Sequence, residues 1–332
     1  MKKINQLICL VVATLFFVAC SNDSATKQNV EENILTEEKK VLVATPQFNA
    51  DSAYAFIKKQ VDFGPRVPGT KNHQQCADYL TAKLKNYGAE VMVQNGKVNT
   101  YDKKTFDLKN IIASFNPNQP NRILLCAHWD TRHIADRDNS KKEQPIDGAN
   151  DGASGVGVLL EIARLLQEQK STLGIDIILF DLEDYGEPRE SDAGMEDSWC
   201  LGSQYWAKNK HKANYSAQYG ILLDMVGAKD ATFLMETSSD YYASWVNKKM
   251  WDNAIRLGYS NYFVYDKFGP ITDDHLYINQ FAKIPTIDII QWDKNRSDFG
   301  SYHHTHKDNM SVIDKNTLKA VGQSVVETIY GN

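Results

Sequence analysis

The chain has 332 residues, 42% apolar and 24% charged, a size and balance that suit one large globular domain needing no covalent staple for its core. A net charge of -5, with Lys and Arg scattered rather than blocked, leaves no basic face and excludes nucleic acid as an expected partner. Beyond Cys9 and Cys20 only Cys76, Cys126 and Cys200 remain, an odd number without a CxxC spacing, which argues against a disulfide framework or a thiolate zinc site; buried free thiols are the default, although one pair could bridge in an exported protein.

The N-terminus, "MKKINQLICLVVATLFFVAC", places Lys2 and Lys3 ahead of an apolar run too short to span a membrane comfortably, the pattern of an export leader over residues 1–19. The stretch "FVAC" resembles the bacterial lipoprotein processing site, which makes Cys20 the candidate lipid anchor and implies a protein held in the cell envelope, facing the periplasm. An uncleaved anchor or an ordinary cleaved leader are the alternatives. Residues 20–48 are polar and weakly periodic, as a tether would be, with a single domain following over 49–332.

The spacing then predicts helices at "ADSAYAFIKKQVDF" and "NHQQCADYLTAKLKNYG", the second closing on Gly88. Strand-like runs follow at "EVMVQ", "NIIASF", "RILLCAHWD", "IDIILFDLE", "GILLDMV", "TFLME" and "IPTIDII", many too apolar to have a wet face. Between and after them lie helical patterns: "ASGVGVLLEIARLLQEQ" with Val156, Leu159, Leu160, Ala163 and Leu166 on one side, "YYASWVNKKMWDNAIRLG", and "NTLKAVGQSVVETIYG". Buried strands alternating with helices predict an α/β fold, a three-layer α/β/α sandwich around a central mixed, mainly parallel sheet.

In such sheets ligands bind beyond the carboxyl ends of the strands. Polar residues stand there: His128 and Asp130, Glu183 and Asp184, and Asp224, with Asp288 inside the last run, Asp151 ahead of a helix, and "YHHTHKDN" near the end. Each has a plain explanation, such as a helix cap for Asp151. Several carboxylates and imidazoles converging on one edge need a cation, and oxygen and nitrogen donors without thiolate suit a catalytic zinc.

The succession "AHWDT", "GANDGASG", "FDLEDYG", "LLDMVGA", "DDH" and "HHTHKDN" resembles the zinc-dependent aminopeptidase superfamily and, within it, the animal-type glutaminyl-peptide cyclotransferases, which have bacterial lipoprotein members. The resemblance implies one zinc per chain on Asp151, Asp184 and His304, the last chosen because it begins a His-Thr-x-x-Asp pattern, and a proton-transferring Glu183. Asp184 stands where a second Glu is usual. The implied substrates are peptides and exported proteins with N-terminal glutamine, and the reaction is zinc-assisted attack of the α-amine on the side-chain amide, giving 5-oxoproline and ammonia.

His128 and Asp224 complete the five ligand positions of a two-metal peptidase, so the ligand set leaves a zinc aminopeptidase open as the alternative, with His128 a possible remnant of the second metal site. Related peptidases carry Ser where "FGPITDDH" has Asp273, which favours the cyclase. An Asp273 and Asp224 pair sharing a proton is expected, and a helix cap at Asp273 is the plainer reading. Trp199 and Trp292 are candidate pocket walls, with His303 beside them and Asp288 where animal cyclases carry a histidine.

Overall fold

The computed structural model describes residues 45–331; the leader, Cys20 and most of the 20–48 segment lie outside the described residues. Two helices open the fold, α1 (Ala50–Val61) and α2 (Lys71–Asn86), capped at their N-termini by the side chains of Asn49 and Thr70. The packed body begins earlier than the expected 49. Phe48 is buried, its N–H donates to Gln323 at 2.8 Å, and Gln323 Nε2 donates to the Pro46 carbonyl at 3.1 Å.

The strands are β1 (Glu90–Asn99), β2 (Thr105–Phe115), β3 (Arg122–His128), β4 (Gly174–Phe180), β5 (Tyr219–Asp224) and, later in the chain, Thr286–Ile290. This last one is β8, because two short strands, β6 (Phe233–Glu236) and β7 (Phe263–Phe268), pair in a separate parallel ribbon. The main sheet runs β1-β2-β4-β3-β5-β8, antiparallel across its first two pairings and parallel from β4 to β8. A mixed, mainly parallel sheet is what the two-faced apolar runs predict.

The pleat divides the strand side chains between two cores. Ile123, Leu125, Ile177, Leu179, Ile221, Leu223, Ile287 and Ile289 pack with α1, α2, α3 (Ala153–Glu168), α5 (Thr237–Arg256) and α7 (Lys315–Tyr330). Leu124, Cys126, Ile178, Phe180 and Leu222 face the other way, toward Trp206 of α4 (Leu201–Lys208) and Ile278 and Ala282, which follow α6 (Asp274–Tyr277). Three layers result. Cys76, Cys126 and Cys200 are free and buried.

Helix α3 is buried nearly all round rather than along one stripe, as a central helix covered by its neighbours must be. Its glycines set the approach: a Cβ on Gly155 would lie 2.1 Å from the Leu223 carbonyl, so only glycine lets α3 press on β5. Gly152, at φ 93°, is its N-cap and makes no side-chain cap bond. The cap explanation of Asp151 therefore does not apply.

Candidate active site and metal centre

Four consecutive parallel strands bring their carboxyl ends to one edge, and the residues there depart from the sheet through strained turns. Leu182, Met225 and His304 all have positive φ, at 55°, 47° and 54°, conformations that cost side-chain-bearing residues energy and gather at functional sites. Asp130, just past β3, accepts the backbone N–H groups of Glu183 and Asp184 at 3.2 Å each, and so fixes the turn that carries both. Asp308 does the same for the loop before α3, accepting from Asn150 at 2.7 Å and Asp151 at 3.0 Å.

These anchors aim three side chains at one point. His304 Nε2 lies 3.1 Å from Asp184 Oδ1 and 3.7 Å from Asp151 Oδ2. Asp151 Oδ2 and both oxygens of Asp184 are buried without a hydrogen-bond partner, and unpaired buried carboxylate oxygens are costly unless a cation meets them. The set fits a zinc ion: one imidazole and two carboxylates, with His304 Nδ1 3.3 Å from Asp136, the carboxylate support that orients a ligating histidine. Asp136 is itself held by Arg132 through two bonds of 2.8 Å. His303 comes within 3.8 Å of Asp151, but its ring packs on Phe299 and burial keeps it neutral, well below its ordinary pKa.

His128 lies behind this set. Its Nε2 is 3.1 Å from Asp151 Oδ1 and 3.2 Å from Asp224 Oδ1, so His128, Asp151 and Asp224 form a second group of metal-ligand type sharing Asp151 with the first. Without a metal, burial would lower the His128 pKa, but Asp130, Asp151 and Asp224 outweigh it and hold the ring protonated.

Glu183 lines the cleft beside the zinc set. Burial pushes its carboxyl well above the usual range; His128 opposes this, and Asp273, Asp184 and Asp274 reinforce it. Cys200, the N-cap residue of α4, donates its thiol to Glu183 Oε1 at 3.1 Å.

Asp273 reaches the same cleft with a different partner from the one expected. It is the N-cap of α6, accepting from the Asp274 N–H, and its carboxyl clusters with Asp288 and His275, ligand atoms of the three lying within 4.8 Å of one another. Asp224 is taken by His128. Asp273 Oδ2 and both Asp288 oxygens meet no N–H or other O–H donor, so the contact requires one proton between the two carboxyls. Burial pushes both carboxyls up, Asp273 above its ordinary value and Asp288, with Asp273 and Asp224 reinforcing, well above the carboxylate range, so Asp288 is the stronger holder of that proton.

The cleft encloses about 450 Å³ and is lined by Trp199, Met225, Ile271, Ile290 and Phe299 together with Asp151, Glu183, Asp184, Asp224, Asp273, His303 and His304. Trp199 stacks parallel to His304, and the Arg132 guanidinium lies over the Trp199 ring, 4.5 Å from its centroid. Trp292 does not line the cleft: it stacks on Phe268 at 4.5 Å and backs Phe299, the aromatic that takes the wall position. Asp288 is fully buried behind Asp273 and is likewise no part of the wall. Sequence reading missed Asp136, Cys200 and Phe299, which sit in irregular segments with no periodic or motif signal.

A three-layer α/β fold whose parallel strands deliver carboxylates and an imidazole to one buried cluster, with a further acid in the adjoining cleft, defines a metal-dependent enzyme. More narrowly, the chain belongs to peptidase family M28, which matches residues 110–329. It is 27% identical over 273 residues to the glutaminyl-peptide cyclotransferase of Drosophila melanogaster, covering 75% of this chain and 72% of that protein. Among solved structures, glutaminyl cyclase from Bacteroides thetaiotaomicron bound to N-acetylhistamine is 52% identical with a TM-score of 0.85, covering 87% of this chain and 100% of that one. A Zn-dependent exopeptidase from Parabacteroides distasonis is also 52% identical, with a TM-score of 0.86 and coverage of 87% and 100%.

Proposed function

We propose that this protein is a zinc-dependent glutaminyl-peptide cyclotransferase, which closes an N-terminal glutamine into 5-oxoproline and releases ammonia. The observation that carries this reading is Asp273: a buried carboxylate in the same cleft as Glu183, backed by a protonated Asp288, where a substrate amine and amide need acceptors. The likeness to named glutaminyl cyclases supports it.

Asp151, Asp184 and His304 would hold one zinc ion, and a zinc bound there would supply Lewis acidity for the substrate's γ-carbonyl. Met225, Ile271, Ile290, Phe299 and Trp199 surround the glutamine stem and exclude water, so the amine meets no competing nucleophile. Glu183, with its pKa raised by burial, takes a proton from the attacking α-amine and returns it to the departing ammonia. Asp273 accepts from the substrate N–H groups and orients the amine; ring closure already has a favourable proximity term.

A zinc aminopeptidase is the second reading, favoured by the His128, Asp151 and Asp224 group, which could hold a second metal. We further propose that the enzyme is exported and lipid-anchored through Cys20 in the cell envelope, where it meets Gln-initiated peptides and exported proteins.

The reading is tested with two peptides differing only in N-acetylation of the leading glutamine. Ammonia should appear from the free peptide alone, because acetylation removes the nucleophile. Ammonia from both would make the protein a simple amidase, and none from either would remove the cyclase reading.

A further inference from the structure

Behind Asp288 lies a buried pair that the reaction as described does not use. His275, two residues beyond Asp273 in α6, points its Nε2 at Glu236 Oε2 at 3.1 Å. Glu236 is fixed in turn: it caps α5, accepting from Ser238 at 2.7 Å and from Ser239, and it also takes the Ile271 N–H at 3.3 Å. With Nε2 committed, the other ring nitrogen faces the aspartates. His275 Nδ1 has no hydrogen-bond partner and lies 3.7 Å from Asp288 Oδ2, and a ring nitrogen of His275 comes within 4.8 Å of both Asp273 and Asp288 carboxyl oxygens. All four side chains are at most 3% exposed.

A buried imidazole held by one carboxylate and aimed at a second pair of carboxyls fixes where that pair stands. On this basis we propose that Glu236 and His275 are positioning residues for cyclisation: they seat Asp288 behind Asp273 and so keep the Asp273 carboxyl aimed into the cleft.

The two members act on different aspartates. Burial raises the Asp273 carboxyl, with His275 the largest opposing influence, and Glu236 adds to burial, Asp273 and Asp224 in raising Asp288. The other charged or titratable groups bearing on the pair are Asp274, His128 and Asp224, with Glu183 and Cys200 adjoining Asp273. His128 favours the ionised Asp273, and Asp224 favours the protonated Asp288. Neither contacts His275, so replacing His275 leaves them in place.

The inference rests on the cyclase reading, and its test separates the two. Full-length native protein and His275→Gln are compared for ammonia release from a Gln-initiated peptide across pH, with zinc content and thermal melting on the same samples. The variant should keep zinc and lose roughly ten- to hundredfold in kcat with little change in KM, since the acceptor is misplaced and not the stem pocket. A variant that melts lower but keeps kcat would show a merely structural pair and overturn the proposal. If His275→Gln does not fold, Glu236→Gln, which keeps an acceptor for His275, is read by the same criteria. A native protein releasing no ammonia would instead fail the cyclase reading itself.

Discussion

Replacing Glu183 by Gln isolates the proton-transfer step with little disturbance around it. The amide is isosteric, its Oε1 can still accept the Cys200 thiol, and the backbone N–H remains bonded to Asp130 at 3.2 Å. Glu183 is buried, and its carboxyl is held well above the usual range by burial and by Asp273, Asp184 and Asp274. Removing its charge should therefore leave stability unchanged or slightly raised. What is lost is the group that accepts and returns a proton, an effect of about 10²- to 10⁴-fold, or roughly 3 to 5 kcal/mol of barrier. Ammonia release, metal content and thermal melting on one preparation read all three. A folded, zinc-loaded Glu183→Gln protein with near-native turnover would refute the assignment of Glu183 and the mechanism with it.

His304→Ala removes the nitrogen donor from the zinc set, and metal analysis should show strongly reduced zinc; unchanged zinc would move the site elsewhere. Asp273→Ala deletes both the α6 cap, at about 1 kcal/mol, and the acceptor in the cleft, so it should melt slightly lower and keep zinc while losing most cyclisation. A destabilised but active protein would leave Asp273 a cap only. His211 gives a pH prediction: burial holds it down to about 4, against an ordinary 6.5, and its Nδ1 accepts from Trp206 at 3.1 Å. The unfolded chain binds this proton first as pH falls, so the contribution present above about 6.5 is lost down to about 4. Melting of the native protein relative to His211→Phe should fall across that window, and a pH-independent difference would contradict it.

The sheet was legible because its strands are apolar on both faces, and β3, β4 and β5 are buried at every position. β7 was not: Phe263 and Phe268 are its only buried residues, and "VYDK" between them reads as loop. α4 was missed for a related reason, since it has eight residues and follows Cys200 in a left-handed conformation with no capping signal. Among site residues, strand-end and loop positions pointed to Asp151 and Asp184 and to the histidine cluster, the family resemblance singled out His304 within it, and the structure brings the three together. The partner of Asp273 could not be read the same way. Strand alternation puts Asp288 on the face opposite Ile287 and Ile289, but only the path of the chain into α6 shows that Asp273, the expected cap, stands beside Asp288. Trp292 and Phe299 were exchanged because composition gives two aromatics near one strand end and no indication of which stands in front.

The central claim is that this cleft closes a ring and does not cut a chain. The most direct measurement is the product mass after incubating the zinc-loaded protein separately with a Gln-initiated and a Leu-initiated peptide. The account predicts that the first loses one ammonia with its length intact and that the second is unchanged; release of the leading residue from either peptide would contradict it.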